Sequence, residues 1–303
     1  MFLGIPWYVY ALASAAFIGV KTVLQKAELK KEHSLDYVVA FSLVTMIIAF
    51  FLWPWVRLGS LDLLSVIYTY VAAALGSIAI WLGAKALRHL EISFISPQTV
   101  LTTVFSLFFA YLFLHEVLTG NQWIGVAVLL SGAVILVKGS FVSFHSFGLP
   151  AKLQIGKWFN KKTVFLFELF LILSMFLFGL ATVFDKIVLA RIDVITFIFL
   201  ISVFLFINHL ILYWAVVGDI RQIPARVDHL GWMIVGIAVL TILSRLTYAQ
   251  ALNLADLSLV MPLKKISILI PTIWGGQLFK EKHLYKRIAV AVLMLLGVWL
   301  LVR

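Results

Sequence analysis

Two lysines stand side by side in "SLVMPLKKISILIPTIW" (258–274), Lys264 and Lys265, inside a run otherwise apolar enough to lie in lipid. A lysine at a bilayer centre costs about 2.5–3.5 kcal/mol on insertion scales, so a pair retained there implies a role. Two further bases sit in the same kind of setting, Lys21 and Arg245. By helical spacing Ser14, Lys21 and Gln25 share one side of their segment, and Thr241, Arg245 and Tyr248 share one side of theirs. The acid deep within a span is Asp185, next to Lys186, suited to pairing with a neighbouring base or to proton coupling. One acid against four bases leaves positive charge to be offset. A bound carboxylate or phosphate would do so. Adjacent helical residues point about 100° apart, so one of the lysine pair is expected to face a cavity, Lys264, with Lys265 pairing with protein or reaching for the interface.

Other residues are weighed beside these. Thr99, Thr102, Thr103 and Ser106 are spaced as one polar helical face, either a cavity wall or a set of interhelical hydrogen bonds. Trp81, Tyr111, Tyr248 and Trp274 are aromatic candidates for a cavity lining, whereas Trp53, Trp55, Trp123 and Trp299 read as interfacial anchors. Glu91 and Asp256 open their helices and read as N-terminal caps. Glu116 and Glu281 stand at helix C-termini, where an acid opposes the dipole, so each calls for a specific partner and a structural tie. Pro97 and Pro262 each remove a backbone donor, so their helices should bend beside the cavity. His209, beside Asn208, reads as a packing histidine.

Catalysis finds little support. "HEVLT" (115–119) has Thr119 where a zinc-protease helix needs a second histidine, and the chain has no cysteine for thiol or disulfide chemistry. No catalytic residue, metal site or cofactor is expected, and a membrane-embedded enzyme or a purely structural subunit is disfavoured. Four buried bases would cost a structural subunit about 10–14 kcal/mol if unpaired.

The elements that must position these residues follow from composition. Of 303 residues 63% are hydrophobic and 12% charged, against about 45–50% and about 25% in soluble domains. Apolar windows of membrane-spanning length recur at 4–27, 35–56, 64–86, 91–114, 121–138, 164–189, 194–217, 230–252, 256–279 and 284–302. These are continuous apolar runs, unlike the alternation of a membrane barrel. The expectation is an all-α membrane protein of ten transmembrane helices. The first segment has no basic stretch before it and carries Lys21 inside, so it reads as a permanent helix and not a cleaved signal. The net charge of +11 comes mostly from helix ends, which fits the lipid bilayer as partner and excludes nucleic acid.

The chain also reads as two copies of one unit. "ALRHLEISFISP" (86–97) aligns with "ALNLADLSLVMP" (251–262) at an offset of 165, and "SAAFIGVKTVLQK" (14–26) with "SMFLFGLATVFDK" (174–186) at 160. Lys26 thereby matches Lys186, Pro97 matches Pro262, Glu116 matches Glu281, and Thr99 matches Lys264. The division expected is a first five-helix repeat over 1–138, a linker over 139–163 and a second repeat over 164–303. An odd helix count per copy sets the copies in opposite senses, giving two inverted repeats around a central cavity.

The stretch "LHEVLTGNQWIGVAVLLSGAVILV" (114–137), the acid-Ser-Pro segments opening the fourth and ninth helices, and the paired halves resemble the EamA-type members of the drug/metabolite transporter superfamily. "FKEKHLYKR" (279–287) keeps Glu281 but lacks the Gln-Trp-Ile-Gly of 122–125. The resemblance implies a ten-helix bundle with a central cavity and the movement of small polar metabolites by alternating access. "LKKIS" is also similar to the basic pair in sugar-phosphate translocators of the same superfamily. The function expected is secondary transport of a small metabolite bearing an anionic group, with a flippase for a lipid-linked phosphate as the alternative. The oligomeric state is open, and a monomer satisfies the reading.

Loops after odd-numbered helices hold sixteen bases and the opposite side four, the deep bases completing the 24. Both termini are therefore expected outside the cytoplasm and the linker inside, and the membrane expected is a prokaryotic cytoplasmic one. The resemblance implies the reverse orientation; the charge asymmetry is followed here.

Overall fold

The computed structural model describes residues 5–117, 119–145, 161–219, 223–281 and 284–302, and every regular element among them is helical. In the first half these are α1 (Trp7–Leu29), α2 (Ser34–Phe50), two 3-10 turns (Trp53–Trp55 and Leu58–Ser60), α3 (Leu63–His89), α4 (Ile92–Gln98), α5 (Leu101–Leu114) and α6 (Gly120–His145). The second half has α7 (Lys161–Leu189), α8 (Val194–Val217), α9 (Ile223–Leu254), α10 (Leu257–Lys264), a 3-10 turn (Lys265–Ile268), a π turn (Pro271–Gly275), α11 (Gly276–Leu278) and α12 (Leu284–Val302). The expected linker is helical at its near edge, where α6 runs on to His145. Residues 146–160 of it lie outside the described residues, as do Lys152, Lys157, Arg221, Lys282 and Arg303 of the orientation count.

Against the ten spans expected, seven helical stretches among the described residues are long and apolar enough to cross a membrane. They are Trp7–Leu29, Leu63–His89, Ile92–Leu114, Val164–Leu189, Val194–Val217, Gly231–Leu254 and Leu257–Leu278. α2 is apolar but falls short at 17 residues, about 26 Å against a core of about 30 Å. Local chemistry sets several ends. Asp62 caps α3 by accepting from Ser65 N at 3.2 Å, and Asp193 caps α8 by accepting from Ile195 N and Thr196 N at 3.1 Å. α9 is kinked at Gly231, whose φ of 60° suits a residue without a Cβ.

The halves pack reciprocally. Ser14 on α1 donates to the Ser244 carbonyl on α9 at 2.9 Å, and its repeat mate Ser174 on α7 donates to the Ala79 carbonyl on α3 at 2.7 Å. Gly132 on α6 lies against Met294 on α12, while Gly297 on α12 lies against Leu129 on α6. Gly19 meets Ile270, and Gly179 meets Phe105 and the Ser106 backbone, closely enough that a Cβ at either would clash. Small residues allow this approach, which is how helices gain packing where lipid offers no hydrophobic drive. The C-terminus of α1 meets the C-terminus of α3 through Lys26, and Arg191, two residues past α7, meets the N-terminal cap of α3 through Asp62 at 3.1 Å. α1 and α7 therefore run in opposite senses along α3.

Pro97 and Pro262 mark changes of winding in the elements that hold the candidate site. α4 stops at Gln98 and α5 restarts at Leu101, and α10 stops at Lys264 before the 3-10 turn. Each proline withholds an N–H from the carbonyl four residues back, and just past it the winding tightens to 3-10 bonds while Thr99, Val100 and Lys265 keep right-handed helical backbone, so each span continues with a local change of pitch. Both prolines are buried.

Candidate functional site

A cavity of two lobes runs between the halves. The larger, about 280 Å³, and the smaller, about 180 Å³, share Ile18, Lys21, Ile80, Phe178, Thr182 and Lys264. Lys21 comes from α1, seven residues after Ser14, whose bond to α9 fixes that face. Lys264 ends α10 where the winding tightens to the 3-10 turn, and it lines both lobes. Asp185 from α7 and Arg245 and Tyr248 from α9 line the smaller lobe beside Phe41, Phe178 and Phe197. Lys265 lines the larger lobe with Thr22, Gln25, Thr99, Thr102 and Ser267. The lining thus gathers four bases, from α1, α9, α10 and the turn after it, with the carboxyl of Asp185, hydroxyls, an amide and apolar side chains.

The charges are poorly matched. Among the described residues no carboxylate forms an ion pair with Lys21, Arg245, Lys264 or Lys265. Lys264 Nζ lies 3.6 Å from the Tyr248 ring centroid, and Lys21 Nζ 5.3 Å from that of Phe41. Ring faces compensate a cation only in part. Asp185 Oδ1 and Arg245 Nη1 are buried without a hydrogen-bond partner, so the pairing of Asp185 with a base is not made in this state. Groups of three or more metal-ligating side chains are absent among the described residues.

Other candidates fall elsewhere. Thr103 and Ser106 are buried in helix packing and line neither lobe, whereas Thr99 and Thr102 line the larger one. Trp81 packs against the cluster of Leu35, Val39 and Tyr213, with Lys85 Nζ 3.8 Å over its ring. Tyr111 and Trp274 are 55% and 45% exposed on the outer surface. None of these three aromatics lines either lobe. Lys265 was expected to turn away; it lines the larger lobe beside Lys264, because that lobe reaches round more than one side of the helix where its winding tightens. His209 is buried, its Nε2 donating to the Ser77 carbonyl at 3.2 Å.

The acids at helix ends also depart from the local reading. Glu91 and Asp256 occupy N-cap positions, yet neither side chain makes a cap bond. The caps come from the opposite repeat. Glu281 accepts from Ile92 N at 2.7 Å and Ser93 N at 2.8 Å at the start of α4, and Glu116 accepts from Leu257 N at 3.2 Å and Ser258 N at 3.0 Å at the start of α10. Glu91 is drawn instead into an ion pair with Arg287, which also donates to Ser93 Oγ at 2.7 Å. Opposite each cap a lysine closes the preceding helix. Lys26 donates to the Leu87 and Leu90 carbonyls in and just past the last turn of α3, the latter at 2.6 Å, and Lys186 to Leu252 and Ala255 in and just past the last turn of α9 at 2.6 and 2.7 Å. Counting Lys26 and Lys186 as loop bases hid this role; their match across the repeat was the available signal.

Comparison with known proteins agrees with this architecture. A family model described as the EamA-like transporter family matches residues 5–138 and 165–303. No curated protein matches the chain. A solved structure described only as the crystal structure of a protein aligns with a TM-score of 0.58 at 15% identity, covering 95% of this chain and 96% of the other. At that identity the likeness concerns the fold alone.

Proposed function

The chain belongs to the EamA-like transporter family, and from that premise we propose that this multi-pass membrane protein is a secondary transporter of a small polar metabolite bearing a carboxylate or phosphate. Substrate binds between two inverted five-helix halves that cross the membrane ten times in all, and moves by alternating access. The observation that carries the reading is the gathering of Lys21, Arg245, Lys264 and Lys265 on one cavity with Asp185 as the acid beside them. Cations held in a low-dielectric cavity without ion pairs favour an anion that brings its own charge. Thr22, Gln25, Thr99 and Thr102 supply hydrogen bonds for the rest of the molecule. By the charge asymmetry both termini lie outside the cytoplasm, and a C-terminal reporter active only in the cytoplasm should stay silent.

The test is a ligand-stabilisation screen on purified full-length protein with anionic, zwitterionic and cationic metabolites. Binding to the folded state raises the unfolding midpoint with ligand concentration. Anionic ligands should do so, and the reading fails if cations alone stabilise.

A further inference from the structure

The four helix-end ties form two clasps related by the repeat, one at each end of the cavity. In the first, Lys26 binds the carbonyls that end α3 while Glu281 binds the amides that start α4. In the second, Lys186 binds the carbonyls that end α9 while Glu116 binds the amides that start α10. The first adjoins Gln25, Leu87 and Ile95 of the larger lobe; the second adjoins Asp185 and Tyr248 of the smaller lobe. Their separation follows from α3. The first clasp holds its C-terminus, and α7, which carries Lys186, ends at the Asp62 cap of its N-terminus, 27 residues or about 40 Å away.

Each clasp joins a helix hairpin to the first helix of its own repeat and to the fourth-helix end of the other repeat. Those hairpins form the cavity wall, so an end of the cavity can open only if its clasp lets go. We infer that Glu281 with Lys26, and Glu116 with Lys186, are positioning residues that latch opposite gates of the cavity. The latches are unequal. Arg287 bridges Glu91, Ser93 and Glu281 in the first clasp, whereas among the described residues no ion pair reaches Glu116 or Asp256 at the second. Arg287 therefore biases the protein toward closure at the Lys26 end. The inference rests on the transporter reading for its meaning, but its test requires no substrate.

The chain contains no cysteine, so one introduced cysteine is a unique reporter. Ile18 lines both lobes, and Ile18→Cys can be labelled with a membrane-impermeant maleimide added to one face of the membrane or the other. Sealed right-side-out and inside-out vesicles carrying the full chain supply the two faces. Glu281→Gln and Arg287→Gln should each raise the ratio of labelling from the Lys26-clasp face by about tenfold, as expected when one charge-assisted bond is lost from one of two states. Glu116→Gln should move the ratio the opposite way. A merely structural role would loosen both faces together or neither. Equal changes from both faces, or no change in folded protein, overturn the inference. If Glu281→Gln does not fold, Arg287→Gln, which leaves the backbone cap in place, decides; loss of folding in both makes the clasp structural and also overturns it. Such a failure leaves anion binding in the cavity untouched, since the ligand screen measures that separately.

Discussion

Replacing Glu281 by alanine removes the acceptor of two backbone donors, Ile92 N at 2.7 Å and Ser93 N at 2.8 Å, at a side chain only 5% exposed. Hydrogen bonds to a charged acceptor contribute about 1.5–3 kcal/mol each, and donors left unpaired at a buried helix start add a desolvation cost. Arg287, 13% exposed, would keep Glu91 as a partner, so part of the local charge balance survives. The net loss is about 3–5 kcal/mol, the range for removing one member of a buried charge pair. Glu116→Ala loses two longer bonds, 3.2 and 3.0 Å, without an arginine bridge among the described residues, and should cost about 2–3 kcal/mol. Glu91 occupies the local N-cap position but caps nothing, and its side chain is 43% exposed, so Glu91→Ala should stay within about 1 kcal/mol. Thermal midpoints of the three purified variants in one detergent should fall in that order. Should Glu91→Ala lower the midpoint as far as Glu281→Ala does, α4 is capped locally and the reasoning is wrong.

Three further outcomes are expected. Lys264→Ala should weaken binding of an anionic ligand found in the stabilisation screen ten- to a hundredfold, with Lys264→Arg intermediate; calorimetric titration of folded, monodisperse protein measures it, and unchanged affinity removes Lys264 from the site. Gly179→Ala places a Cβ 2.6 Å from Phe105 Cβ and 3.0 Å from Ser106 N, so stability should drop by about 1–3 kcal/mol in thermal unfolding, whereas Gly236→Ala, with nothing within 4 Å, should hold or gain. The Ser65 hydroxyl above all, then the Ser65 N–H and Arg191, holds the Asp62 carboxyl below its ordinary range. Its contribution is present above the unfolded value near 3.9 and fades as pH falls through the lower folded value. Asp62→Asn should therefore flatten the dependence of the midpoint on pH below about 4.

The sequence by itself determined the class of molecule and its internal repeat, because both are written in local composition and in the register of one chain against itself. Apolar runs of spanning length require helices in lipid, and the proline matches at 97 and 262 mark where the winding of two of them changes. Lys21, Asp185, Arg245 and Lys264 were legible as polar residues in apolar runs, since the cost of a charge in lipid applies before any partner is known. The tertiary structure decided the partners. Glu281 and Glu116 cap helices that start 189 and 141 residues away along the chain, and Glu91 and Asp256 at the expected positions do not. A helix start offers its N–H groups to whichever carboxylate arrives with the better geometry, and the inverted halves bring the distant one. The orientation of Trp81, Tyr111 and Trp274 away from the cavity was likewise undetermined. Helical periodicity says which residues share a face but not which face meets the cavity, a neighbouring helix or lipid. Lys265 lines the cavity for the same reason: the change to a 3-10 turn after Pro262 shifts the faces that a single helical period would assign.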